Sequence, residues 1–194
     1  MACGRRCIRT RSTQFVEPFR STRGGGVRAV LAAAEASLLR SLVSQIMDLI
    51  EPEVARAADL DELEALLQAP AAETPHDPVL ARLLPDGYRD DPDAAGEFRK
   101  YTELALRAAK HESAQMMLDS LPEAGGKVQL TAEQAQAWMK SLNDVRLALG
   151  TKLGVTEDFE EQWDELAPKD PRRTAFEVYA WLGAVQESLV RALW

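Results

Sequence analysis

Apolar residues recur at spacings of three and four along most of the chain, which is the period of an amphipathic helix. The first long run predicts a helix from Ala33 to Ile50, closed by Pro52. Further long helices are predicted over residues 91–121, behind Thr131 and after Pro171. The pattern therefore describes a chain built mainly of helices.

Residue types at the predicted helix starts support these assignments. Asp91 followed by Pro92 is typical of an N-cap acid with proline at the first helical position. Thr131 with Gln134 fits a capping box. Residues 78–85 allow one or two helical turns, and an acidic segment opened by Asp59 carries leucines on one face: Leu60, Leu63, Leu66 and Leu67.

Two short segments break the helical pattern in the same way. Residues 27–31 and 127–130 each follow a Gly-Gly pair, alternate weakly between apolar and polar side chains, and precede a helix. The two segments are candidates for paired strands in a small ribbon supported by helices, because an isolated two-stranded ribbon is only marginally stable. Coincidence in an alanine- and leucine-rich chain is the alternative.

Composition agrees with a mainly α fold, a helical bundle with one short two-stranded β-ribbon. The 194 residues include 30 Ala and 25 Leu against 12 Val and 3 Ile, and helices favour the first pair while strands favour the second. Residues 27–194 are predicted to form a single helical domain. Residues 1–26 lack a steady period, end in three glycines and are predicted to form a flexible basic N-terminal arm.

Charge divides the chain more sharply than hydropathy does. Residues 1–28 hold seven arginines and one glutamate, a local charge of +6, whereas the other 166 residues hold 16 bases and 30 acids, a local charge of −14. Arginines can contact nucleic-acid phosphates, although an acidic body repels them. The candidate nucleic-acid-binding residues are Arg5, Arg6, Arg9, Arg11, Arg20, Arg23 and Arg28. The acidic helices could instead bind a basic protein.

Catalytic and metal-binding patterns are absent from the sequence. The two histidines, His76 and His111, are remote from each other and from both cysteines, so no zinc-type ligand spacing occurs. No motif of a metalloprotease, an α/β-hydrolase or a P-loop nucleotide-binding protein is present. We expect a protein that is not an enzyme and that requires no metal or cofactor.

Location is predicted from two further features. No apolar run approaches the ~20 residues that a membrane helix needs, and the arginine-rich start leads into no signal-peptide core. Both cysteines lie in the arm, which suits a reducing compartment. We expect a cytoplasmic protein that contacts no membrane. Trp194, at the last position, is a candidate contact in a homodimer.

The cysteines form the sharpest local motif. Cys3 and Cys7 are separated by three residues and flanked by Arg5, Arg6 and Arg9. Neighbouring cations lower the pKa of a thiol, and exposed thiolates suit redox sensing. The pair is a candidate redox disulfide, although a tail with incidental cysteines would carry the same residues.

Four stretches of the sequence resemble an actinobacterial family of oxidative-stress transcriptional regulators, which is encoded beside the proteolytic adaptor ClpS. They are residues 35–42 (EASLLRSL), 83–92 (LLPDGYRDDP), 97–107 (EFRKYTELALR) and 142–158 (LNDVRLALGTKLGVTED). The resemblance covers residues 25–194.

The resemblance implies a cytoplasmic regulator of oxidative-stress and cysteine-biosynthesis genes. It further implies oxidant sensing through a CxxxC pair, DNA as a partner, and cooperation with a stress sigma factor or RNA polymerase. Only Cys3 and Cys7 fit the cysteine role. Within the last stretch, Asn143, Asp144 and Arg146 are expected to form a structural polar cluster near the turn at residues 150–154.

Overall fold

The computed structural model describes residues 17–51, 73–88 and 90–194. These ranges contain six helices and three strands. The strands are β1 (Glu17–Ser21), β2 (Val27–Leu31) and β3 (Gly126–Leu130). The helices are α1 (Ala33–Ile50), α2 (Pro78–Leu83), α3 (Pro92–Ser120), α4 (Ala132–Leu153), α5 (Phe159–Glu165) and α6 (Arg173–Leu193). The mainly α fold class is thereby confirmed, and none of the described helices is long and apolar enough to cross a membrane.

The predicted helix boundaries hold where capping chemistry defines them. Asp91 caps α3 by accepting a hydrogen bond from the Ala94 N–H at 3.0 Å, and Pro92 is the first helical residue. Thr131 and Gln134 form the predicted capping box of α4. That helix ends at Gly154, whose φ of +64° lies in the left-handed region that glycine adopts without strain. The acidic segment at residues 59–67 lies outside the described residues.

The predicted strand pairing is confirmed, and a third strand joins it. Strands β2 and β3 are antiparallel, with Val27 opposite Leu130 and Leu31 opposite Gly126. Strand β1 pairs antiparallel with β2, so the sheet order is β1-β2-β3. The prediction of a flexible arm over residues 1–26 is therefore wrong for residues 17–26, which form a strand and a hairpin turn.

Strand β1 is not predicted from the sequence, because its five residues are too few to show a clear alternation of apolar and polar side chains. It is five residues long and contains Pro18, which a strand tolerates at the edge of a sheet but not at its centre. Its described side chains include one buried apolar residue, Phe19. That ring packs edge-on against Trp138 with the ring centroids 5.8 Å apart, and the Phe19 N–H donates to the Ser188 Oγ at 3.3 Å. These contacts attach β1 to α4 and α6.

The core lies between the sheet and the helices, with α4 at its centre. Trp138 on α4 is fully buried and donates its Nε1–H to the Ser120 Oγ at 2.7 Å. Glu35 is also buried. Its carboxylate accepts hydrogen bonds from the Ala32 N–H at 2.7 Å and from the Trp181 Nε1–H at 3.3 Å. This carboxylate therefore fixes the start of α1 and connects it to α6.

A network of ion pairs fastens the loop before α3. The buried Arg99 donates to Asp86 at 2.6 Å, to the Leu84 carbonyl at 2.9 Å and to Glu103 at 2.5 Å. Arg107 also binds Glu103. Removing Arg99 would leave Asp86, Glu103 and the Leu84 carbonyl without this hydrogen-bond donor, and buried polar groups are costly to leave unpaired.

The two carboxylates of this network are held in their charged form. Hydrogen bonds from Arg99 and from Thr74 hold the pKa of Asp86 below its ordinary value. Burial acts to raise the pKa of Glu103, but hydrogen bonds from Arg99 and Arg107 outweigh it, so that pKa is also lowered. A lowered folded-state pKa contributes stability above the unfolded pKa, and the contribution is lost as the pH falls through the folded value.

Replacing Phe19 tests whether β1 belongs to the folded core. Phe19→Ala removes a buried ring and should lower the free energy of unfolding by about 3–4 kcal/mol, measured by denaturant titration. Arg20→Ala, on the exposed side of the same strand, is the control and should not lower the free energy of unfolding, because Arg20 lies opposite another arginine. Equal, small effects of the two substitutions would contradict the structural role of β1.

Replacing Arg99 tests the ion-pair network and its pH dependence. Arg99→Met should lower the free energy of unfolding by about 3 kcal/mol at neutral pH. The difference from the wild type should begin to narrow below about pH 4, where these carboxyl groups protonate in the unfolded chain, and should be lost as the pH falls through the lowered pKa values of Asp86 and Glu103 in the folded chain. Arg191→Met removes an exposed pair with Glu187 and should have no measurable effect. A loss that is independent of pH would contradict the account.

Candidate functional site

The outward face of the three-stranded sheet is basic. Successive side chains of a strand point to opposite faces, so burying one set against the helices exposes the other. The buried set consists of Phe19, Val27, Ala29, Leu31, Val128 and Leu130. The exposed set, which we call the basic sheet face, consists of Arg20, Arg28 and Lys127 with Val30 and Gln129.

Strand register brings the cations of this face together. Arg20 on β1 lies directly opposite Arg28 on β2, and Arg28 in turn lies opposite Gln129 on β3. Lys127 lies opposite Val30. Like charges directly opposite each other destabilise a strand pair, so this arrangement costs stability in the absence of an anion.

The three strands contain one acidic residue, Glu17 at the start of β1, which lies opposite Val30 in the strand register. Residues 18–31 and 126–130 contain no aspartate or glutamate. Arg20, Arg28 and Lys127 form no ion pair with any residue that the structure describes, whereas Arg99, Arg107 and Lys110 all do. The strands therefore carry a net positive charge, with three cations against one carboxylate.

The basic sheet face also has a concave part. A shallow depression of about 370 Å³ is lined by the five residues of the face and by Ala29 and Val128. Guanidinium groups bind phosphate and carboxylate oxygens through paired N–H donors, and an ammonium group adds a point charge. The arrangement can therefore hold an anion such as a backbone phosphate.

The sequence-predicted cationic and cysteine residues are divided by the start of the described structure. Arg23 lies exposed in the turn between β1 and β2, near Arg20 and Arg28 in sequence. The remaining candidates lie outside the described residues: Cys3, Cys7, Arg5, Arg6, Arg9 and Arg11. They precede β1 in the chain.

The expected polar cluster at Asn143, Asp144 and Arg146 does not form. Asp144 is buried and accepts a hydrogen bond from the Lys110 Nζ at 2.7 Å, whereas Asn143 is exposed. Arg146 donates to the Gln186 Oε1 at 2.6 Å. Neighbouring helical positions differ in direction by about 100°, so these side chains meet different helices. Asp144 binds α3 and Arg146 binds α6.

The side chain of Arg146 and the backbone at Gly150 approach the same aromatic ring, that of Tyr179. The Arg146 guanidinium lies 5.4 Å from the Tyr179 ring centroid, and a Cβ added at Gly150 would lie 3.2 Å from the same ring. Burial raises the pKa of Asp144, and the hydrogen bond from Lys110 opposes that rise only in part. The contact of Arg146 with Tyr179 joins α4 to α6, and the hydrogen bond from Lys110 to Asp144 joins α3 to α4. Both contacts support the packing of the core.

The described residues contain no group of three or more His, Cys, Asp or Glu side chains that could hold a metal ion. His76 and His111 are both exposed. Lys127 is the one cation of the basic sheet face that is not among the binding candidates predicted from the sequence. Its alternation with buried Val128 and Leu130 marks it as outward-facing once the strand is paired.

Comparisons with known proteins connect this fold to a family. A family model described as a domain of unknown function, DUF2017, matches residues 16–193. The putative oxidative stress regulator AosR of Mycobacterium leprae (strain TN) is 38% identical over 214 aligned positions, which cover 98% of this chain and 97% of that protein.

Two further relatives are each named oxidative stress regulator AosR. They come from Mycobacterium bovis (strain ATCC BAA-935 / AF2122/97) and Mycobacterium tuberculosis (strain ATCC 25618 / H37Rv). Each is 36% identical over 214 aligned positions, with 98% of this chain and 96% of the relative covered. No solved structure matches the chain. Because both the family model and these relatives extend over nearly its whole length, the chain belongs to the DUF2017 family, together with the AosR regulators.

Proposed function

We propose that this protein is a cytoplasmic, redox-responsive transcriptional regulator of oxidative-stress and cysteine-biosynthesis genes. The observation that carries the proposal is the identity of 36–38%, over nearly the full length, with proteins named as oxidative stress regulators. The basic sheet face and the cysteine pair supply the chemistry for the two parts of such a role, contact with DNA and response to an oxidant.

In this proposal, DNA contact uses the basic sheet face and the arginines that precede it. Phosphate contacts give affinity that depends strongly on salt and little on sequence. The charge of −14 over residues 29–194 favours one orientation, because most of the surface repels the duplex. A stress sigma factor or RNA polymerase is the proposed protein partner, and it would supply the promoter selectivity that phosphate contacts lack.

Oxidant sensing is assigned to Cys3 and Cys7. The thiolate of one cysteine attacks a peroxide oxygen, and the O–O bond breaks to give a sulfenic acid and one water after protonation. The second thiol then attacks the sulfenic sulfur, forming the disulfide and releasing a second water. Two thiols lose two electrons and two protons, and the peroxide gains them. The product closes a short loop around Arg5 and Arg6.

Neutralising the basic sheet face should weaken DNA binding. The triple variant Arg20→Gln, Arg28→Gln, Lys127→Gln removes three cations. The plot of log affinity against log salt concentration has a negative slope, and its magnitude should fall by about 2 to 3. A fluorescence anisotropy titration of duplex DNA over a salt series measures this slope.

A matched control removes three exposed lysines from the helical part of the chain. Lys140→Gln, Lys152→Gln and Lys169→Gln change the net charge equally and should leave the salt slope nearly unchanged. Equal effects of the two triple variants would contradict a role specific to the sheet. Undetectable DNA binding by the wild type near physiological salt, with a stable protein partner in a pull-down, would favour the alternative, a non-enzymatic interaction module acting through acidic helices.

Removing the cysteines should abolish the response to oxidant. We expect peroxide to change the DNA affinity of the wild type and dithiothreitol to reverse the change, because the disulfide is reducible. Neither Cys3→Ser nor Cys7→Ser can form the disulfide, so neither should show the wild-type change in affinity in the same anisotropy assay. A response that persists in both variants and resists dithiothreitol would point to methionine oxidation and would contradict the cysteine role.

A further inference from the structure

Helix α3 has one side packed against the core and a far side whose apolar residues are not covered by the part of the chain that the structure describes. The buried residues of α3 are Ala95, Arg99, Ser113, Ala114 and Met117, which face the core. No residue from 100 to 112 is buried. On the far side, Phe98, Tyr101 and Leu104 are 46%, 56% and 57% exposed. A contiguous exposed apolar surface of this kind marks an interaction site.

The far side of α3 has the spacing of a coiled-coil seam. Phe98, Tyr101, Ala105 and Ala108 follow one another at intervals of three, four and three, which are successive a and d positions of a heptad. All four are exposed. We call these four residues the α3 seam. Tyr88 packs edge-on against Phe98 with ring centroids 5.7 Å apart and holds that ring at one end of the seam.

The order of residues in the α3 seam makes it complementary to itself. Two large residues are followed by two small ones. When a second copy of the helix is laid antiparallel, the phenyl ring of Phe98 faces Ala108 of the second copy and Tyr101 faces Ala105. Large side chains that face small ones allow two helices to interdigitate. In a two-fold pair each helix makes the same contacts with the other, so one surface fits a second copy of itself.

The residues beside the seam agree with the same arrangement. Leu104 lies at a g position, and in the antiparallel pair it meets Leu104 of the second copy beside the two-fold axis. Glu97, the preceding g residue, lies opposite His111 of the second copy, so a carboxylate meets an imidazole donor. We propose that the α3 seam is the interface of a homodimer with two-fold symmetry.

Charge exchange at Leu104 tests this proposal with the full-length protein. Sedimentation over a dilution series should give the wild type twice the mass of one chain. Leu104→Glu and Leu104→Lys should each sediment as monomers, because the two-fold axis sets like charges side by side. An equimolar mixture of the two variants should recover the dimer, since glutamate then faces lysine. Recovery of the dimer requires that residue 104 of one chain contacts residue 104 of the other. If the two substitutions only disturbed the folding of each chain, mixing them would not restore the dimer.

Gln136→Glu and Gln136→Lys are matched controls on the exposed side of α4, and both should remain dimeric. A monomeric wild type would overturn the proposal, including the case in which residues 52–72 of the same chain cover the seam. A dimer that survives Leu104→Glu, or one that is lost on replacing the 95% exposed Trp194, would place the interface elsewhere and would also overturn it.

Discussion

The alternation of side chains across a three-stranded sheet is the constraint on which the rest of the structure depends. The inner row packs on α4 and α6, and the contact of Phe19 with Trp138 attaches the edge strand to that core. Once this row is buried, the alternate side chains must lie on the opposite, outward face of the sheet. Arg20, Arg28 and Lys127 are therefore presented together by a packed scaffold, and not by a loop.

This arrangement places an energetic cost where function is proposed. Arg20 faces Arg28 across the strand pair, although an opposite charge there would stabilise the sheet. Elsewhere the protein pairs its buried charges, as Arg99 does with Asp86 and Glu103. A local violation of the pairing rule in an otherwise consistent fold is typical of a binding surface, where a ligand supplies the missing charge.

Sequence reasoning predicted those parts of the fold that have a long period or a capping residue. Helix α1 matches its predicted bounds, and Asp91 and Thr131 mark helix starts as expected. Strand β1 was missed because five residues with a proline provide too short a pattern. Asn143, Asp144 and Arg146 were wrongly grouped because sequence proximity on a helix does not give a shared direction.

Tertiary packing determined what periodicity alone could not. Apolar residues occur on more than one side of α3, and only the structure distinguishes the buried ones, such as Met117, from exposed ones such as Tyr101 and Leu104. Lys127 likewise joins Arg20 and Arg28 only through strand pairing between segments about a hundred residues apart. The site is non-local, so no motif in the sequence contains it.

NMR can show residue by residue whether nucleic acid binds the outer face of the sheet. Backbone amide signals of the isotopically labelled protein would be followed while a short DNA duplex is added. We expect the signals of Arg20, Arg28, Val30, Lys127 and Gln129 to shift most, with little change along α4 and α6. Shifts confined to the helices, or to residues 1–16 with the sheet unaffected, would contradict this expectation.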